Sequence, residues 1–111
     1  MVWRIQDRAT FEALRHDGQR SRRGSITVTF VVTGDESVPR VAYAVGKRVG
    51  GAVVRNRLRR RMRSVVAEAS GSLAPGAYLV AAGPEAVGLP YEDLKAQVAT
   101  AMTSASRARR T

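Results

Sequence analysis

Val53-Val54-Arg55-Asn56-Arg57-Leu58-Arg59-Arg60-Arg61-Met62-Arg63-Ser64-Val65-Val66 is the stretch from which the rest of this 111-residue chain is read. At about 100° per residue, Val54, Leu58, Met62, Val65, Val66 and Ala69 fall within about 120° of arc, the width of a core-facing helical stripe. Asn56, Arg59, Arg60 and Arg63 fall on the opposite side, within roughly 100°. Arg57 and Arg61 flank the stripe, where their stems can lie along apolar surface while the guanidinium heads reach outward. The spacing predicts a helix over 52–70 with one buried and one cationic surface. Gly50-Gly51 ahead of it leaves backbone N–H groups accessible, and the helix N-terminus is favourable for one phosphate.

The charge pattern around this helix is one-sided. Between Ser37 and Ala67 stand nine basic residues and no acid, whereas all nine Asp and Glu lie at or before Glu36 or from Glu68 onward. Six arginines occupy the nine positions 55–63, and Lys47-Arg48 extend the field on the N-terminal side. Like charges three and four apart on a helix repel by about 0.2–0.5 kcal/mol per pair, and solubility is better served by mixed signs. The missing counter-charge is therefore expected from outside, as a polyanion. A net charge of +10 and a pI near 11.5 point the same way. A membrane surface fits less well, because it requires a basic helix with a large, bulky apolar face.

Composition bounds the remaining possibilities. The length suits one domain with a real core, and 44% hydrophobic with 25% charged residues is ordinary for a globular chain. No apolar run is long enough to span a membrane, and Asp7 and Arg8 interrupt any signal-peptide core near Met1, so the expectation is a soluble, cytoplasmic protein. The absence of cysteine fits a reducing compartment and excludes disulfides, thiolate metal sites and a Cys nucleophile. Gly46-Lys47 is not a phosphate-binding Walker loop, since no glycine stands five residues earlier and Arg48 replaces the Ser or Thr. His16, the sole histidine, sits at a helix C-terminus where a cation is favourable. Asp35-Glu36 reads as a turn and Glu92-Asp93 as a helix start. A carboxylate–metal nuclease would need acids beside the basic surface, where the sequence has none.

Around the central helix the chain reads as follows. Asp7 caps a short helix to about Asp17, with Gly18 as its stop. Gln19 to Gly24 is a basic loop or short edge strand. Ile26, Val28, Phe30 and Val32 alternate with Thr27, Thr29, Val31 and Thr33 as a strand. Gly34-Asp35-Glu36-Ser37 turns the chain, and Val41, Tyr43 and Val45 form an antiparallel partner strand. Pro75-Gly76 leads into a strand over 77–82, and Pro84 to Pro90 is a loop. Tyr91 to about Ser106 is a last helix with Leu94, Val98, Ala101 and Met102 inward. Residues 1–106 are read as a single RNA-binding domain and 107–111 as a basic tail, with the polar stretch from Ser104 onward expected to fray. The class is α+β, a two-layer α/β sandwich in the order α-β-β-(β)-α-β-α with a small mixed sheet. Phe30 is assigned to the core. For Phe11 two readings stay open: core, or the rim of a groove where a base of a single strand stacks.

The run Val45-Gly46-Lys47-Arg48-Val49-Gly50-Gly51-Ala52-Val53-Val54-Arg55-Asn56-Arg57-Leu58-Arg59-Arg60-Arg61-Met62-Arg63 closely resembles the signature of the bacterial ribonuclease P protein subunit. In that family a strand ends in a basic pair and continues through Gly-x-Ala-Val into the Arg-Asn-Arg motif and its arginine helix. The resemblance extends from about Arg4 to Met102, taking in Arg4-Ile5, Phe11, Gly18, the Pro-Gly turn and Tyr91. It implies a left-handed crossover through the arginine helix, against the usual hand, in the topology of the second domain of a small-subunit ribosomal protein.

The resemblance also implies the partners. A catalytic ribonuclease P RNA would cut the 5′ leader from precursor tRNA with Mg2+, and the free protein is expected to be monomeric. Carried over by position, Lys47, Arg48, Arg55, Asn56, Arg57, Arg59, Arg60 and Arg63 would face RNA. Phe11, with Arg15 and Thr29, would line a groove for the single-stranded leader. Arg15 and Thr29 stand where many relatives have aromatics, so leader binding is expected to lean on charge more than on stacking. The alternative, a structural RNA-binding protein of the ribosome or its assembly, shares the charge but has no reason to keep the ordered motif.

Overall fold

A computed structural model describes residues 3–32 and 38–110, with side chains over 4–32 and 38–107. The order is β1 (Trp3–Arg4), α1 (Arg8–Asp17), β2 (Gln19–Arg23), β3 (Ile26–Val31), β4 (Pro39–Val45), α2 (Ala52–Ala69), β5 (Gly76–Ala82) and α3 (Tyr91–Arg110). Short 3-10 turns at Lys47–Val49, Ser70–Ser72 and Pro84–Gly88 link them. The strands lie side by side as β1-β4-β5-β3-β2, with β1/β4 and β4/β5 parallel and the other pairs antiparallel.

One expectation about the sheet is overturned. β4 does not pair with β3; β5 stands between them, parallel to β4 and antiparallel to β3. The physical reason is legible in β5 itself. Gly76-Ala77-Tyr78-Leu79-Val80-Ala81-Ala82 is an unbroken apolar run, the signature of a strand covered on both faces. The connection through α2 returns β5 parallel to β4, as a helical crossover does. The Gly34–Ser37 turn lies outside the described residues.

The main core forms where α2 and α3 cover one face of the sheet. Ile26, Val28, Phe30, Val41, Val45, Tyr78 and Val80 from the strands meet Leu58, Met62, Val65 and Val66 from α2. Leu94, Val98, Ala101, Met102 and Ala105 come from α3. The Phe30 and Tyr78 rings lie with centroids 4.8 Å apart and tilted by 51°, a favourable aromatic contact. α3 runs past Ser104: Ala105 and Ser106 are buried and the helix continues to Arg110. Val32, which the alternation places inward, is exposed just past the end of β3.

A smaller cluster of Ile5, Leu14, Val31 and Ala77 holds α1 on the opposite face. Asp7 caps α1, accepting from the Thr10 N–H at 2.9 Å and the Thr10 hydroxyl at 2.6 Å. These bonds hold its carboxyl below the usual range. Arg40 reaches over from β4 to Asp7 at 3.0 Å and to the Thr10 hydroxyl at 3.1 Å. Gly18 ends α1 because the chain passes so close to the sheet. A Cβ there would stand 2.3 Å from both the Leu14 carbonyl oxygen and Thr29 Cγ2.

Gly76 opens β5 at φ +145°, and a Cβ there would lie 2.4 Å from the Phe30 ring. Gly76→Ala therefore combines backbone strain with a clash in the main core. It should destabilise the fold by about 1–3 kcal/mol, read as a lowered urea midpoint with unchanged m. An unaltered midpoint would mean that β5 enters the sheet differently.

Candidate nucleic-acid interface

The arginine helix begins where β4 ends. Lys47 and Arg48 project from the exposed 3-10 turn at Lys47–Val49, and Gly51 caps α2 without a side-chain hydrogen bond. No acid occupies the first turn of α2, so its opening N–H groups and the positive end of the helix dipole are left for an external anion. Arg55 follows one turn in. Its Nε is buried without an acceptor among the described residues, and an unmet donor of this kind costs about 1–3 kcal/mol.

The other basic positions of α2 do not form one uniform face. Asn56, Arg57 and Arg60 are exposed. Arg59 leans toward the sheet, donating to Asn56 Oδ1 at 2.9 Å and to the Val45 carbonyl at 3.4 Å. The helical wheel directs Arg63 away from the core, but its guanidinium lies over the Tyr43 ring, 5.8 Å from the centroid. Position on the wheel sets a direction, while the aromatic at the open side of β4 attracts the cation. Arg61 is held by the carbonyls of Val87 and Leu89 and serves packing. Arg40, first of the nine bases, is already matched by Asp7.

A second site lies across the sheet. A groove of about 380 Å³ runs between α1 and the strands, lined by Phe11, Leu14, Arg15, Arg20, Thr29 and Leu79 with Arg8 and Glu12 at its edge. Register explains its floor: Arg20 pairs with Thr29, and Thr29 with Leu79, so the three form one row on the face beneath α1. Phe11 is 40% exposed, which puts it on the groove rim rather than in the core. Thr29 is buried in the floor, and Arg15 and Arg20 are exposed cations.

Arg20 and Leu79 are groove residues that the sequence reading does not single out. The available signal for Arg20 is the two-residue period of β2, which places Arg20 and Arg22 on one face. The groove and α2 occupy opposite faces of the sheet. Among the described residues, no group of three His, Cys, Asp or Glu is placed to hold a metal, and no helix is long and apolar enough to cross a membrane.

Comparison with known proteins bears on the family and the fold. The sequence model of the family described as Ribonuclease P matches residues 2–106. The ribonuclease P protein component of Thermobifida fusca is 41% identical over 115 residues, covering 96% of this chain and 78% of that protein. That of Clavibacter michiganensis is 30% identical, covering 94% of this chain and 93% of that protein. Among solved structures, the Staphylococcus aureus RNase P protein superposes with a TM-score of 0.83 at 19% identity, covering 93% of this chain and 94% of that one. The Thermotoga maritima RNase P protein gives 0.81 at 18% identity, covering 91% and 96%. Sequence match and shared fold together make this chain a member of the ribonuclease P protein family.

Proposed function

We propose that the chain is the protein subunit of ribonuclease P, binding the catalytic RNA through Lys47, Arg48 and the α2 arginines and the 5′ leader of precursor tRNA through the α1 groove. The observation that carries this reading is the pairing of two separate features on one small sheet. One is a cationic helix whose N-terminus has no side-chain cap and which carries no acid before Glu68. The other is a narrow, aromatic-rimmed, cationic groove suited to a single strand. A ribosomal or assembly protein would need the first but not the second.

In this reading the protein performs no bond chemistry. Its guanidiniums neutralise phosphates so that two polyanions can approach. Phe11 offers a stacking surface to a leader base, while Arg15 and Arg20 meet the leader phosphates across the row that contains Thr29. Mg2+ is assigned to the RNA partner, and the site of action is the cytoplasm. The deciding experiment adds the purified protein to a bacterial ribonuclease P RNA and follows 5′ processing of precursor tRNA. The protein should lower the magnesium requirement and should cleave nothing without the RNA. Processing that is indifferent to the protein, or RNA-free cleavage abolished by mutating an acid, would overturn the reading.

Two variants separate the surfaces. Arg57 and Arg60 are exposed and repel their arginine neighbours, so changing both to Ala should not lower the melting temperature. The salt slope of log affinity for RNA should fall by about 0.7–0.9 for each phosphate that is no longer neutralised. A lowered melting temperature with an unchanged slope would make them structural.

Phe11→Ala should weaken precursor tRNA binding by about 1–3 kcal/mol and barely affect mature tRNA, which lacks the leader. Equal weakening on both substrates, with a large drop in the urea midpoint, would return Phe11 to a packing role.

A further inference from the structure

A cavity of about 550 Å³ opens between α2 and the β1–β4 edge, on the sheet face opposite the α1 groove. Its location follows from register: Arg4 pairs with Val41, and Tyr43 continues the same face of β4. Val41, Val66 and Ala67 supply apolar lining, and Tyr43, Arg4, Arg59 and Arg63 line the same cavity. Among the described residues no carboxylate lines the cavity. Arg59 is steadied by the Val45 carbonyl and Asn56, and Arg63 by the Tyr43 ring, so both are held in place before any ligand arrives. Among the described residues the Tyr43 hydroxyl has no hydrogen-bond partner. Burial pushes its pKa up to about 12, with Arg63 opposing the shift.

Apolar walls with a few converging polar groups, at this size, are the usual form of a small-ligand site. The chemistry that satisfies every feature is a flat ring carrying a phosphate. The ring has a π-face for Tyr43, and the phosphate suits the planar fork of arginine. A membrane headgroup would leave the aromatic without a partner, and a bare phosphate would leave the apolar walls unused. We propose that this cavity takes one unstacked nucleotide, its base against Tyr43 and its phosphate between Arg4 and the α2 arginines Arg59 and Arg63. The nucleotide comes either from the RNA partner, as an extruded residue, or from free nucleoside monophosphate. Only the first source rests on the function proposed above.

The test titrates adenosine or uridine monophosphate, and separately inorganic phosphate, into the isolated protein while following backbone amides by NMR. The nucleotides should perturb amides around 42–43 and 63–67 and bind at least about tenfold more tightly than phosphate. Tyr43→Leu should reduce nucleotide affinity by about 5- to 150-fold, the span that base–aromatic stacking covers, without changing phosphate binding. Tyr43→Phe keeps the ring and should retain most of the affinity. Arg4→Ala, at an exposed position, should weaken both ligands, and it reports on the site even if Tyr43→Leu fails to fold. A parallel loss of ribonuclease P RNA affinity in Tyr43→Leu assigns the nucleotide to the RNA; an unchanged RNA complex assigns it to free mononucleotide. Equal binding of nucleotide and phosphate, indifferent to Tyr43 and Arg4, overturns the proposal. Because nucleotide binding is read without RNA, it stands or falls separately from the processing assay.

Discussion

Leu58, Met62, Val65 and Val66 are buried along one side of α2, against the strands and α3, and the position of every α2 arginine depends on that packing. The helix is otherwise poorly made for water. It lacks an acid in its first turn and a base in its last, the reverse of what its dipole favours. Five pairs of arginines stand three or four apart, a repulsion of roughly 1–2.5 kcal/mol in total. Burying four large apolar side chains contributes roughly 6–12 kcal/mol, so packing wins. Its C-terminal end is also tied to α3, where Glu68 accepts from the Tyr91 hydroxyl and pairs with Lys95 at 3.4 Å. The Tyr91 bond is the main reason the Glu68 carboxyl titrates below its ordinary range.

The sheet separates the two candidate RNA surfaces while holding them in one rigid frame. β5 is buried at its centre, its odd and even residues facing different helices: Tyr78 and Val80 meet α2 and α3, and Leu79 meets the α1 groove. Arg40 couples the halves, standing in β4 beside the strand residues that receive α2 while its guanidinium binds Asp7 and Thr10 of α1. The α2 surface and the α1 groove are thus set at a fixed offset by backbone pairing within one sheet. In the function proposed above, long-range field and local fit divide in the same way, the cationic helix drawing RNA in and the groove taking a single strand.

Where reading from sequence goes astray, the cause is non-local. β3 and β4 are neighbours in the chain, and their alternation suits a hairpin, but nothing local to either says that β5 will insert between them. The last helix is read to about Ser106 with a polar end from Ser104 onward, yet Ala105 and Ser106 find cover in the folded protein and α3 runs to Arg110. Arg63 sits opposite the stripe on a helical wheel, and only the nearness of β4 brings Tyr43 under it. Each case involves a partner far away in sequence.

Residue order was enough to mark the elements and the chemistry. Periodicity of 3.6 and of 2 picks out α1, α2, β3, β4 and α3, the Pro75-Gly76 turn announces β5, the acid-free run picks out the surface expected to face RNA, and the ordered Gly-x-Ala-Val and Arg-Asn-Arg motif picks out the family. The reason is that helix stripe, strand alternation, capping and charge spacing are properties of residues within a few positions of each other. Other features became definite only in the folded chain: the strand order β1-β4-β5-β3-β2, the row Arg20–Thr29–Leu79 beneath Phe11, and the Tyr43 cavity with its three arginines. Folding also matches Arg40 with Asp7 while leaving Arg55 Nε without an acceptor among the described residues. Those features are set by which distant surfaces are buried together, and burial is a property of the whole folded chain rather than of any window within it.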